Sequence, residues 1–437
     1  MTCRVKFTAF RRGLCWVGGE KAFSVLLRFA VGVTLARILT PGDYGLVGMM
    51  ALFVALGESV VDGGMANAVI NKVSSCPVDV AGAYYRAGFR YNLTMALAVV
   101  VVLAALAPAV AKFYAAPVLA RTLPVMGLSI LIGALSSMQV ARLTVELRFA
   151  AQSLANVLGT LAGGAVALAL AWRGAGVWAL VMGAVCASAG RTLVVWWAAG
   201  RRLLPVGSRE SDVGGREWRE LWRFGWRLTA SYLLGTLHAK ASQLVVGRFF
   251  GKSETGLFGR AGSFPALPVD LLTATLLKVA YPRLLSARDD ARQLRRGYLR
   301  LLALAAALAA PTLALMAALA EPMVRLVVGE RWLACVPCLR ILCLVSLGET
   351  FVHLMRNVFY VTGRTERIVR LDLVERPVAL VALFVSAPFG LVTLCWTMVA
   401  TEIFSLALDG CCFWRETGAK KFVTFPCAKR IPIENKT

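Results

Sequence analysis

Two basic residues, Arg28 and Lys240, lie deep inside long apolar runs of this 437-residue chain. Arg28 is about 14 residues into its run, roughly 21 Å along a helix, too far from either end for easy snorkelling. An arginine at that depth costs about 2.5–3.5 kcal/mol unless a cavity or partner receives it. Lys240 lies at the matching depth of a later run, 212 positions on. Two cations held in that way suit a hydrated cavity that grips an anion; pairing with buried carboxylates or carbonyls for packing is the competing reading. Lys21, seven residues before Arg28, shares its helical face and extends a basic track. Arg37 and Arg248, 211 apart, sit at the ends of their runs, where headgroup anchoring competes with cargo release. Arg86, with Arg90, flanks the entrance to another run. Carboxylates form a second set: Glu349 with His353 and Arg356 at helical spacing, Glu375 beside Arg376 and Pro377, Glu402 ahead of Asp409, and Asp62. Each is a candidate for coupling to protons or Na+, with an internal ion pair as the alternative for the Glu349 group.

The elements that must position these residues are membrane helices. The chain is 58% hydrophobic, 16% charged and has a mean hydropathy of +0.69, more apolar surface than a soluble fold buries. Its net charge of +24 does not point to nucleic acid, because the charges fall between apolar runs and no polar domain carries them. Eleven cysteines are scattered through apolar segments. Cys335 and Cys338 have redox or half-zinc spacing but no second pair, and read as small apolar residues. No metal site and no cofactor are expected. The basic first 13 residues and the apolar stretch after them resemble a signal peptide. That stretch runs on through Glu20, Lys21 and Arg28 without a small-residue cleavage site, so an uncleaved first span is expected.

At about 20 residues per crossing, twelve helices are predicted: 15–38, 46–68, 91–111, 122–141, 153–172, 175–198, 225–250, 257–282, 299–320, 333–361, 367–388 and 390–413. Neither strand alternation nor a barrel signature is present, so the class is an all-α polytopic membrane protein. Of the 48 Lys and Arg residues, 33 fall on the side of the N-terminus and nine on the other, which predicts both termini in the cytoplasm. The segment from Gly200 to Trp222 mixes signs with Gly, Ser and Pro, as a linker does. The expected organisation is a cytoplasmic N-terminus (1–13), a six-helix bundle (14–200), a linker (201–223), a second six-helix bundle (224–414) and a basic tail (415–437). Six is even, so the bundles run the same way and their pseudo-twofold axis lies along the membrane normal.

A short internal repeat supports that duplication. Ala36 to Gly48 reads ARILTPGDYGLVG and Gly247 to Gly259 reads GRFFGKSETGLFG. Arg37, Asp43, Gly45, Leu46 and Gly48 meet Arg248, Glu254, Gly256, Leu257 and Gly259. Pro108 and Pro124 flank a short polar loop, and Pro322 and Pro337 flank its counterpart. Pro108, Pro311 and Pro377 fall inside predicted spans, where they favour kinks, and Gly159 with Gly163 forms a small-residue pair for close helix packing.

The first copy of the repeat also carries a family resemblance. Leu35 to Leu56, LARILTPGDYGLVGMMALFVAL, resembles the LAR-L-(S/T)P-x-D-(Y/F)-G signature of polysaccharide exporters and lipid-linked oligosaccharide flippases. These belong to the multidrug/oligosaccharidyl-lipid/polysaccharide superfamily. Asp62 to Ile70, Gly174 to Val181, Val246 to Gly251 and Gly363-Arg364 match further motifs in order, over roughly residues 14 to 414. The chain departs at Ser242, where relatives usually carry an Asp a few residues before the V-G-R segment, and in its short tail, where longer relatives add two spans.

The resemblance implies a non-enzymatic flippase of the bacterial inner membrane. Its cargo would be an oligosaccharide on polyprenyl pyrophosphate, moved by alternating access for O-antigen, capsule or exopolysaccharide. Arg28 and Lys240 would then face each other across the cleft and hold the diphosphate, with Lys21, Arg37, Arg248 and Arg86 along the route. The implied partners are the lipid-linked oligosaccharide, membrane lipids, and the polymerase and chain-length machinery. The alternative is a cation-coupled small-molecule or drug exporter on the same fold. A membrane polymerase or ligase is disfavoured, since every predicted outer loop is short.

Overall fold

The computed structural model describes residues 26–62, 64–73, 78–200, 215–286, 290–362, 364 and 366–418. Lys21, most of the expected linker and most of the expected tail lie outside the described residues. Helix is the only extended regular structure among those described. The helices are α1 (26–38), α2 (Pro41–Asp62), α3 (Met65–Val73), α4 (Val78–Phe113), α5 (Leu119–Val145), α6 (Phe149–Trp172), α7 (Val177–Ala199), α8 (Gly215–Ser286), α9 (Ala291–Ala318), α10 (Ala320–Val327), α11 (Val336–Val361), α12 (Glu366–Ser386) and α13 (Leu391–Gly418). By length and composition, eight stretches of helix are apolar enough to cross a membrane.

The start of α2 shows how a motif becomes local structure. Asp43 Oδ2 accepts from the Thr40 backbone N–H at 3.0 Å and from the Thr40 hydroxyl at 2.7 Å. Asp43 N–H donates back to Thr40 Oγ1 at 3.3 Å. This is a capping box with Pro41 in the first turn, where its missing donor is not needed. The T-P-x-D of the sequence therefore ends one helix and begins the next.

Contacts divide the chain into two compact units. One comprises the described residues up to Gly259 together with Val324–Ala334; the other comprises Arg260–Met323 together with the described residues from Cys335 onward. In the first, α2, α4 and α5 pack around Met49, Met50, Leu103, Leu119 and Leu123. In the second, α9, α11 and α13 pack around Leu294, Tyr298, Phe359 and Phe413. The opposite helix faces are apolar and bare, as in Leu97, Val101 and Val102 of α4. Trp172 and Trp197, at the ends of α6 and α7, are 75% and 78% exposed. Outward leucines and valines with terminal tryptophans suit lipid and its headgroup boundary rather than water.

The two copies of the repeat touch each other within the first unit. A Cβ on Gly45 would lie 1.6 Å from the Lys252 carbonyl oxygen, and one on Gly256 would lie 1.9 Å from the Pro41 carbonyl oxygen. Gly45 and Gly256 are 211 apart, as are Pro41 and Lys252, so the contact is reciprocal, in the manner of a twofold interface. From there α2 and the first arm of α8 run antiparallel. The Ser59 and Thr236 hydroxyls meet at 2.9 Å, and a Cβ on Gly64 would lie 2.1 Å from the Gly225 carbonyl. The chain breaks from helical geometry inside α8 at Gly251, with φ 80° and ψ −172°, a region favoured by glycine. Pro108, Pro311 and Pro377 lie within helices that continue through them. The small-residue pair packs as expected: a Cβ on Gly163 would fall 2.5 Å from the Gly183 carbonyl on α7.

Candidate functional site

In the first unit, α1, α2, α5, α6 and α7 enclose a cavity of about 560 Å³ lined by Arg28, Glu58, Asn156, Ser188 and Arg191, among others. Its glycines explain how it forms. Gly159, Gly163 and Gly183 let α6 and α7 approach backbone to backbone, so small residues replace side chains that would fill the space. Arg28 and Arg191 are both exposed. Asp62, at the end of α2, is within electrostatic reach of Arg191 and Glu58. The lining thus combines two guanidiniums with Glu58 and with neutral polar groups, and Asp62 lies close to Arg191. It can take up an anion with hydroxyl-rich substituents, using guanidinium forks for phosphate oxygens and amide or hydroxyl groups for sugars.

The other expected cations divide. Lys240 is half-buried on α8 and does not line this cavity. It lies one turn from Thr236, which meets Ser59, the residue after Glu58. The Arg37 guanidinium donates to the carbonyls of Leu326 and, at 3.1 Å, Val327, so it caps the C-terminal end of α10. Trp332 Nε1 donates to the Ala36 carbonyl at 2.8 Å and helps to fix the same corner. Arg248 sits over the Phe113 ring at 5.4 Å, a cation–π contact. Arg86 is half-buried on α4 with partners of its own.

The second unit holds an ion network. Arg356 on α11 donates to Asp372 on α12 at 3.0 Å, to Asp409 on α13 at 2.9 Å, and to Glu375 on α12. Arg376 joins Asp372 at 2.8 Å. Of the Glu349, His353 and Arg356 face, Arg356 is ion-paired, with carboxylates of α12 and α13 rather than with Glu349. Asp409 is fully buried, yet its Oδ1 has no hydrogen-bond partner; Glu402 Oε1 is likewise unpartnered. Glu402 packs on Gly348, where a Cβ would come within 2.5 Å of its Cγ, and it lies within electrostatic reach of Glu349. Carboxylates outnumber guanidiniums here, which a bound proton or monovalent cation would offset. No set of three or more His, Cys, Asp or Glu among the described residues is placed to hold a metal ion. Cys335 and Cys338 are both buried, consistent with packing.

Arg191 and Asp372 were not singled out in the sequence. Arg191 is the lone cation of its span and has no counterpart in the repeat. Asp372 offered only its i,i+4 spacing to Arg376.

The fold resembles two kinds of solved transporter. A lipid II flippase MurJ in an inward closed conformation matches with a TM-score of 0.72 at 12% identity, over 92% of this chain and 87% of that one. An inward-facing multidrug resistance MATE family transporter of the MOP superfamily matches with a TM-score of 0.66 at 14% identity, over 91% and 96%. In sequence, the chain is 25% identical to the lipopolysaccharide biosynthesis protein WzxC of Escherichia coli over 313 residues, 72% of this chain and 62% of that protein. It is 23% identical to the succinoglycan biosynthesis transport protein ExoT of Rhizobium meliloti, over 82% of this chain and 71% of that protein. Residues 34–337, well over half the chain, match the family described as polysaccharide biosynthesis protein, and the chain belongs to that family.

Proposed function

We propose that this chain is a flippase, not an enzyme. It carries an oligosaccharide linked to polyprenyl pyrophosphate from the cytoplasmic to the outer leaflet of the bacterial inner membrane. The observation that carries the reading is the cavity of the first unit, where Arg28 and Arg191 are exposed in a glycine-lined space inside an apolar bundle. A diphosphate with a sugar head needs this surrounding, because desolvating its charge without cationic partners would be prohibitive. Family membership supports the same reading. The MurJ and MATE likenesses both speak to fold alone, so family membership is what favours a polysaccharide precursor over a drug as cargo.

In this reading twelve helices form two six-helix bundles with both termini in the cytoplasm. The reciprocal Gly45–Lys252 and Gly256–Pro41 contact supports the pseudo-twofold relation. Arg28 and Arg191 receive the diphosphate while the polyprenyl tail stays in lipid. Lys240, at the matching depth of α8, opposes Arg28 as the cleft alternates. The carboxylate network around Arg356, with Glu349, Glu375 and Glu402, couples the cycle to protons or Na+, and Asp62 serves the first unit in the same way. Product would pass to a polysaccharide polymerase and its chain-length machinery.

The test is polysaccharide export in a strain that depends on this chain, with its membrane level followed in parallel. Arg28→Ala and Arg191→Ala should each lower export about tenfold or more at unchanged protein level, and the Lys replacements should recover part of it. Lys240→Ala separately tests the opposed cations. Full export by the Arg28→Ala, Arg191→Ala double variant would rule the cavity out as the cargo site.

A further inference from the structure

The second unit contains a cavity that the transport reading does not use. It is about 510 Å³ and lies between the end of α8 and the start of α9. Leu276, Ala280, Arg283 and Leu284 line it from α8, spaced as one helical face; Arg296, Gly297, Arg300, Leu301 and Leu304 line it from α9 with the same periodicity. Gly297 keeps it open, since a Cβ there would already sit 3.0 Å from Leu284 Cδ2.

Its lining is graded. Arg283 and Arg296 stand near the turn between the helices, with Arg300 one turn deeper, and Leu276 and Leu304 stand at the far end. Arg296 and Leu304 are about 12 Å apart along the axis at 1.5 Å per residue. Arg295, by contrast, is engaged over the Trp414 ring at 4.1 Å. Among the described residues no carboxylate lies within salt-bridge distance of Arg283, Arg296 or Arg300. Asp290 is occupied at the start of α9, accepting from the backbone of Arg292 and Gln293 at 2.9 and 3.2 Å. Three guanidiniums around one opening repel one another unless an anion joins them. The leucines behind them call for an apolar tail on the same molecule. Leu304 and Leu308, exposed at 49% and 41%, continue that apolar surface along α9.

We propose that this cavity binds an anionic glycerophospholipid, its phosphate between Arg283, Arg296 and Arg300 and its acyl chains along Leu276, Leu304 and Leu308. The Lys and Arg distribution assigns this end of the helices to the cytoplasmic side, where anionic headgroups and basic interhelical pockets meet. The site is separate from the Arg28 cavity, so its occupancy stands or falls independently of the cargo.

The test titrates the purified full chain in detergent with dioleoylphosphatidylglycerol or dioleoylphosphatidylcholine, counting retained lipid by native mass spectrometry. One phosphatidylglycerol should be held in clear preference to phosphatidylcholine. Arg283→Gln with Arg300→Gln should weaken it at least about tenfold, equivalent to about 1.4 kcal/mol. Lys278→Gln with Arg292→Gln removes the same charge from neighbouring positions outside the cavity and should change affinity less than about twofold. Leu304→Trp keeps every charge and blocks the apolar end; it should also lower affinity, and it decides the matter if the double arginine variant does not fold. Equal binding of both lipids, equal loss in the two double variants, unchanged binding in Leu304→Trp, or displacement by inorganic phosphate at matched ionic strength would overturn the proposal. The last outcome would make this a free-anion site.

Discussion

Arg356 ties the helices of the second unit together. Its guanidinium links three helices through Asp372, Glu375 and Asp409, and only 18% of it is exposed. Removing one member of a buried ion network strands the others without a counter-charge. Arg356→Met should therefore destabilise the protein by about 3–5 kcal/mol, read as a lower thermal midpoint in detergent. Arg376→Met removes one link to Asp372 at a more exposed position, and its effect should be much smaller. Equal midpoints for the two variants would mean that the network is decorative. Arg28 and Arg191 are the opposite kind of residue: both are exposed, and neither makes a salt bridge among the described residues. Their loss should leave the thermal midpoint nearly unchanged while export falls.

At the scale of elements, the crossing of α2 with α8 is the most demanding contact. Gly45 and Gly256 each face a carbonyl at a distance no Cβ tolerates. Gly45→Ala and Gly256→Ala should each destabilise strongly and to a similar degree, because the contact is reciprocal. Gly174→Ala has open space around it and strains only a φ of 76°, for about 1 kcal/mol. Thermal unfolding of the three variants checks the order; a mild Gly256→Ala beside a severe Gly45→Ala would refute reciprocity. Thr40→Ala removes one half of the capping box and should cost about 1 kcal/mol. The repeat was visible as a pattern of residue types. That its two copies pack on each other was not, because a run of glycines and one carboxylate says nothing of which backbone lies opposite.

For the whole molecule, sidedness is the prediction that matters. With the eleven native cysteines replaced, Lys112→Cys at the end of α4 should react with an impermeant thiol reagent from outside intact cells. Arg148→Cys, between α5 and α6, should react only after permeabilisation. The reverse pattern would invert the topology and with it the direction of the proposed transport. The candidate site was partly legible at this scale. Arg28 declared itself by depth in an apolar run, a signal that follows from the cost of charge in hydrocarbon. Arg191 carried the same signal in α7, yet only its place on the cavity that Arg28 and Glu58 also line brings it into the proposed site.

By itself, the sequence determined that the chain is helical and of the membrane class, and it marked most helix ends, though α2 stops at Asp62 rather than near 68 and α4 starts at Val78 rather than near 91. The physical reason is local: hydrocarbon requires each spanning segment to satisfy its own backbone, at a length set by bilayer thickness. Caps such as Thr40–Asp43 and the family motifs are equally local. Which charges meet was decided only in three dimensions. The pairing of Arg356 with Asp372, Glu375 and Asp409, the contact of Arg37 with the end of α10, and the sharing of one cavity by Arg28 and Arg191 depend on how each helix is rotated about its axis and where it crosses its neighbours. Those quantities belong to packing, and no single helix contains them.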